Sequence, residues 1–309
     1  MRTGSRVAAW AIDHPWALTR DMLRVVGRVL ARHVTSDGRM EREAFGPPPP
    51  PPAPRVPGAV AVLPIHGVLA PRINMLSDFS GGATFEEASA ELAALVADPA
   101  VATIVLDWDS PGGSVAGAGE FAERVGQAAT VKRVISVANF QMCSAAYWAG
   151  ARSTEIVAAP SALVGSIGVY CLHEDLSQYL KNEGIVLTYI SAGTFKVDGN
   201  PTEPLSDTAR ARLKALVSEP YERFVADVAR GRGVTADAVR GGFGEGATLT
   251  AAEALAAGLV DRVETLEATL ARVAVSPSSL APSRVGRAAS ELALAREIAA
   301  LGFMEPVLD

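Results

Sequence analysis

From Ala59 onward, short apolar runs alternate with stretches of helical periodicity. Ala59–Ile65 reads as a strand closed by Gly67. Thr84-Phe85-Glu86-Glu87 has the form of a capping box, and the Ala/Leu-rich stretch behind it predicts a helix to about Ala97. Thr103–Trp108 follows as a strand, Val115–Ala129 as a helix, Arg133–Ala138 as a strand and Ser144–Ala151 as a helix. Glu155–Ala158 is a short strand, Leu176–Asn182 a helix and Val186–Ile190 a strand. Asp207–Gly231 predicts a long helix with Leu213, Leu216, Val217, Phe224 and Val228 as its apolar positions. Thr250–Ala257 is a short helix stopped by Gly258, and Leu259–Asp261 reads as a last strand. Strands separated by helices pair through crossovers rather than hairpins. The pattern therefore predicts an α/β fold with a largely parallel sheet flanked by helices.

Before that region stand six consecutive prolines at 47–52, then Pro54 and Pro57. Such a run takes the polyproline II form and acts as a stiff spacer. It marks off residues 1–57 as an N-terminal extension, in which Leu18, Met22, Val25, Val26 and Val29 suggest a short amphipathic helix. Residues 58–275 form the predicted core domain. Residues 276–309 hold Ser/Pro punctuation and a final Ala/Leu/Glu/Arg helix, a tail suited to interaction rather than core. No solenoid-type repeat is visible.

Bulk numbers narrow the function. The chain has 309 residues, 49% hydrophobic and 20% charged, which suits a globular protein. A formal charge of −6 gives no footprint for nucleic acid. The 2 cysteines, Cys143 and Cys171, lie outside any CxxC pair or His cluster, so neither a zinc site nor another metal is expected. No stretch has the length of a membrane span. The segment after Arg2 and Arg6 is broken by Asp13, His14 and Pro15, too soon for a signal-peptide core. A soluble cytoplasmic protein is the expectation.

The chemistry gathers at three places. Ser144 stands where an apolar strand turns into a small-residue helix. There it is either a helix cap or a nucleophile beside free backbone N–H groups. Asp109-Ser110-Pro111-Gly112-Gly113 follows a strand; the glycines permit close backbone approach, either in a plain tight turn or as an oxyanion donor paired with the N–H of Ala145. No Gly-Lys-Ser/Thr follows, so a phosphate loop is a weaker reading. A base for Ser144 is harder to find among His14, His33, His66 and His173, although His66 stays open. Lys196, between Phe195 and Val197 in a Gly-rich loop, has the most apolar neighbours of the nearby cations. Lysine serves as a base only if burial lowers its pKa from about 10.4 toward neutrality; the ordinary fate of such a residue is an exposed loop.

Five motifs occur in order: Pro64-Ile65-His66-Gly67-Val68-Leu69, Asp109-Ser110-Pro111-Gly112-Gly113, Cys143-Ser144-Ala145-Ala146, Gly165-Ser166-Ile167-Gly168-Val169 and Lys196-Val197-Asp198-Gly199-Asn200-Pro201. Together they resemble the signal peptide peptidase A (SppA) family, and within it the phage capsid-assembly proteases of the lambda protein C type, over about residues 58–265. The resemblance implies a ClpP/crotonase-like fold of repeated β-β-α units and a Ser-Lys dyad without cofactor. It assigns Ser144 as nucleophile, Lys196 as general base and Ser166 as the hydroxyl that orients the lysine. The oxyanion donors fall on Gly112 or Gly113 and on Ala145, where many members have glycine; the backbone N–H survives that change. His66 falls in a strand motif with no catalytic duty. Also implied are a ring-shaped homo-oligomer with protein or peptide substrates, bound extended beside Gly112–Val115. In a phage or prophage setting these would be capsid, scaffold or portal proteins, cut in the host cytoplasm or within the procapsid.

Three rival readings share parts of this pattern. A cellular SppA-like enzyme would clear signal-peptide remnants. A crotonase-like acyl-CoA enzyme would use the same oxyanion logic and leave Ser144 and Lys196 idle. An assembly scaffold would work through its terminal helices.

Overall fold

The computed structural model describes residues 15–19, 60–72 and 82–275. Strands β1 (Trp16–Leu18), β2 (Val60–His66), β3 (Thr103–Ser110), β4 (Gly112–Ser114), β5 (Arg133–Cys143), β6 (Glu155–Ala158), β7 (Leu163–Gly165), β8 (Thr248–Thr250) and β9 (Arg262–Val263) form two sheets. Helices α1 (Phe85–Ala97), α2 (Ala118–Val131), α3 (Ala145–Gly150), α4 (Ser177–Asn182), α5 (Asp207–Arg232), α6 (Ala236–Gly242), α7 (Ala251–Ala257) and α8 (Leu266–Val275) surround the larger one. That sheet runs β2-β3-β5-β6-β9, all parallel, as the alternation predicts. Burial on both faces explains the continuous apolar strands. Ile104, Leu106 and Trp108 face the main core with α1, α2 and α3, whereas Val105, Ile135, Val137 and Val157 face a second layer closed by Val273 of α8.

Strand β5 does two jobs. Its first half pairs with β6 and its last residues, Gln141–Cys143, pair with β7. A register shift after Trp108 bends the β3–β5 pair between these halves. Strand β5 therefore runs on to Cys143, past the expected end at Ala138, and delivers Ser144 at its tip.

Other expectations met different outcomes. Helix α2 starts at Ala118, because β4 ends at Ser114 and Val115–Gly117 turn the chain into the helix, with Gly117 at φ 92°. The run Leu259–Asp261 precedes the last strand, with Leu259 and Val260 buried and the Asp261 N–H bonded to the Ile156 carbonyl (2.8 Å). Val186–Ile190 joins neither sheet; Val186 is 88% and Ile190 98% exposed. A β-prone run needs a neighbouring strand to pair with, and the described residues offer none there. Leu18 lies in a strand rather than opening a helix. The remainder of that helical pattern, the proline run and the 276–309 tail lie outside the described residues.

Glu155, at the start of β6, is the hub that ties the sheet edge to α8. Its carboxylate accepts from Arg133 (2.8 Å), Arg262 (2.9 Å) and Arg272 (2.8 Å). Burial works to raise its pKa, but the hydrogen bonds from Arg133 and Arg272 outweigh this and hold it below the usual carboxylate range. A depressed carboxylate contributes stability above its unfolded pKa, and that contribution is lost as pH falls through the folded one. Glu155→Gln should cost about 2 kcal/mol at neutral pH. Urea denaturation at neutral and acid pH should show a smaller acid loss in the variant than in the native chain.

Candidate active site

Ser144 sits at the junction of β5 and α3 with φ 53° and ψ −119°, a conformation that side chains other than glycine rarely adopt. It is held there from both sides. Its N–H donates to the Gly165 carbonyl at the end of β7 (2.7 Å), and its carbonyl accepts the N–H of Trp148 to start α3 (2.9 Å). Helix α3 is itself anchored. The Tyr147 hydroxyl donates to the Leu259 carbonyl (2.9 Å), the Trp148 indole donates to Asp227 of α5 (2.8 Å), and the Trp148 and Phe224 rings stack at 4.7 Å. The Ser144 hydroxyl is fully buried and has no hydrogen-bond partner. A helix cap would use that oxygen; this serine leaves it free, with no side-chain cap bond.

The glycine loop lies against it. A Cβ placed on Gly112 would come within 2.8 Å of the Ser144 Cβ and 3.0 Å of the Ala145 nitrogen, and would overlap the Ala17 carbonyl oxygen. Gly112 also has φ +103°, so glycine is required twice over. The two glycines then part company. The Gly112 N–H donates to the Ser110 hydroxyl (3.2 Å), which in turn donates to the Gly67 carbonyl (2.7 Å). On one side of β4, Leu69 bonds the Gly112 carbonyl and the Ser114 N–H (both 2.9 Å). Strand alternation turns the backbone groups of Gly113 to the other side, toward the groove. The Ala145 N–H, first in α3, has no intrahelical acceptor. The Gly112 N–H is thus taken by Ser110, whereas the Gly113 and Ala145 N–H groups are not used by these bonds.

Ser166 follows Gly165, whose partner across the ladder is Cys143, so the residues after both strands lie side by side. Ser166 is buried and also has a positive φ, 54°. Cys143 is no rival nucleophile: burial pushes its thiol up to about 12. His66 is no base for Ser144 either, since its ring pairs with Asp107 (3.4 Å) and the serine hydroxyl has no partner.

Lys196 stands apart. The structure brings together Ser144, Ala145, Gly112, Gly113 and Ser166, while Lys196 lies exposed in the single chain and makes no hydrogen bond to Ser144. Its loop is tethered by the Arg212 guanidinium over the Phe195 ring (4.2 Å). The apolar neighbours that singled it out in sequence do not enclose it here; Phe195 is itself 48% exposed.

Sequence reasoning missed one component. Strand β1 lies antiparallel against β4, with Trp16 opposite Ser114, Ala17 opposite Gly113 and Leu18 opposite Gly112. Trp16 also exchanges two hydrogen bonds with Tyr170 (2.8 and 3.0 Å). The groove beside Gly112–Val115 is therefore filled by the chain's own Pro15–Thr19 segment. Only the apolar Trp-Ala-Leu run after Pro15 hints at this in the sequence.

Among the described residues there is no cluster of His, Cys, Asp and Glu that could hold a metal ion, and no helix is long and apolar enough to cross a membrane. Capsid assembly protease C of Escherichia phage lambda is 33% identical over 209 residues, 68% of this chain and 47% of that protein. Head-tail preconnector protein GP5 of Enterobacteria phage P21 is 32% identical over 209 residues, 68% of this chain and 41% of that protein. The chain thus spans under half the length of these two relatives. A solved ClpP1 mutant from Listeria monocytogenes superposes with a TM-score of 0.42 at 13% identity, over 68% of this chain and 94% of that chain. Residues 127–277, which carry Ser144, Ser166 and Lys196, match Peptidase family S49. The match takes in the serine held at the tip of β5, so residues 127–277 form a Peptidase family S49 domain.

Proposed function

We propose that this chain is a serine endopeptidase acting through Ser144 and Lys196. The observation that carries the reading is the buried Ser144 hydroxyl, free of any partner, on a positive-φ turn beside two backbone donors. A hydroxyl in that state costs stability unless function uses it. Ser144 attacks the peptide carbonyl, and Lys196 takes its proton and passes it to the leaving amine. Water then hydrolyses the acyl-enzyme. The N–H groups of Gly113 and Ala145 hold the oxyanion, each worth roughly 3 kcal/mol of barrier, and Ser166 orients the amine.

Lys196 joins this site on assembly. Residues 185–190 expose Ile185, Val186, Leu187, Tyr189 and Ile190, an apolar face that a second copy of the chain would cover. Enclosure by that copy takes Lys196 out of water, the setting in which an amine serves as a base. The working enzyme is therefore a homo-oligomer. Its substrates are extended protein segments. The likeness to a phage capsid assembly protease points to phage head proteins, namely capsid, scaffold or portal chains.

Co-expression of the native chain or Ser144→Ala with candidate head proteins, followed by mass spectrometry of the fragments, tests this. Cleavage products are expected with the native chain alone. Identical fragments with both would remove Ser144 from the reaction.

A further inference from the structure

Strand β1 occupies the groove as a substrate would. Two bonds frame its register: the Val115 N–H donates to the Pro15 carbonyl (3.3 Å), and the Thr19 N–H donates to the Pro111 carbonyl (3.1 Å). In an antiparallel pair such positions recur at every second residue. Ala17 and Gly113, midway between them, are thus the hydrogen-bonding pair, with the Gly113 N–H directed to the Ala17 carbonyl. That carbonyl oxygen, the Ser144 Cβ and the Ala145 nitrogen all lie within 3.0 Å of one point, the Cβ position of Gly112. The Ala17 carbonyl is therefore the group presented to the serine and to both donors. The segment is held on its other edge by Tyr170, and Trp16, Ala17 and Leu18 are each at least 96% buried, being 2%, 0% and 4% exposed.

We infer that the Ala17–Leu18 peptide bond is an internal substrate of Ser144, and that the chain cuts itself there. This rests on the peptidase reading above. In the reaction the Ser144 oxygen bonds to the Ala17 carbonyl carbon and the Ala17–Leu18 C–N bond breaks. The serine proton goes to the Leu18 amine. Water then cleaves the ester, leaving a carboxylate on Ala17 and restoring the serine. The products are a peptide ending at Ala17 and a chain beginning at Leu18. The same geometry defines the preferred substrate. The residue before the cut is small, because Ala17 is fully enclosed in the main core and leaves no room for a larger side chain. Large apolar residues stand on either side, as Trp16 and Leu18 do.

The test uses full-length chains: native, Ser144→Ala, Ala17→Gly and Ala17→Trp. Each is followed by intact mass and N-terminal sequencing, and labelled in parallel with a fluorophosphonate probe. The inference expects a new N-terminus at Leu18 in the native chain and in Ala17→Gly, none in Ser144→Ala, and at least tenfold slower cutting in Ala17→Trp. Probe labelling of Ala17→Trp shows that this variant is folded and competent. A native enzyme that labels on Ser144 and digests unfolded casein, yet keeps its first 17 residues or loses them at another bond, overturns the inference and leaves the peptidase reading standing. A native chain that neither labels nor digests casein overturns both.

Discussion

Ser144→Ala is expected to lower kcat for peptide hydrolysis by on the order of 10⁶-fold, and Lys196→Ala by nearly as much. Under the proposed mechanism the double variant should be no slower than either single one, because removing nucleophile or base stops the same step. Stability should move the other way. The Ser144 hydroxyl is buried and makes no hydrogen bond, so alanine removes a desolvated polar group without orphaning a partner. Ser144→Ala should unfold at the same denaturant concentration as the native chain or be more stable by about 1 kcal/mol. Lys196 is exposed, and its loss should leave the stability of the isolated chain unchanged. Initial rates on a fluorogenic peptide, beside urea unfolding curves, separate the two effects. A large stability loss in either variant would mean that these residues build the fold rather than the reaction.

The second large effect is expected far from the serine, at Arg232. This side chain ends α5 and is 2% exposed. Its Nε donates to the Gly258 carbonyl (3.0 Å), and its two terminal nitrogens grip both oxygens of Asp261 (3.0 and 2.8 Å). Asp261 also accepts the N–H of Ile156 in β6 (2.9 Å). One guanidinium thus ties α5, the end of α7 and the sheet together, just behind the Leu259 carbonyl that anchors Tyr147. Arg232→Ala removes a buried guanidinium with its two bonds to Asp261 and its bond to the Gly258 carbonyl, at a cost of about 3–5 kcal/mol. Arg232→Lys keeps the charge but loses the fork, and should recover only part of that. Thermal or urea unfolding checks both. A change under about 1 kcal/mol for Arg232→Ala, the scale of an exposed pair, would contradict this account.

Much of this was legible in the sequence because it depends on local pattern. Apolar runs such as Thr103–Trp108 sit in a two-sided parallel sheet, and the Thr84 cap forms as its spacing predicts, its hydroxyl accepting from the Glu87 N–H (3.1 Å). Ser144 and the Gly112-Gly113 pair converge because both end neighbouring strands, β5 and β3, of one sheet. What escaped the sequence depends on partners. Strands β4, β7 and β8 have three residues each, too short for a period to register, and exist through the neighbours they pair with. Strand β1 is apolar for only three residues, and only the groove makes it a strand. Val186–Ile190 failed in the opposite sense: among the described residues its β-prone run finds no edge to join. Phe195 and Val197 promised a dry environment for Lys196, but Phe195 is itself half exposed and the lysine beside it is exposed as well.

The most direct measurement of the central claim is the site and rate of fluorophosphonate labelling, mapped by tandem mass spectrometry on the purified native protein and on Lys196→Ala. The account predicts a single adduct on Ser144 in the native protein and at least a hundredfold slower labelling in the variant. Equal labelling of Ser144 with and without the lysine would contradict it, because the serine would then be activated by some other group.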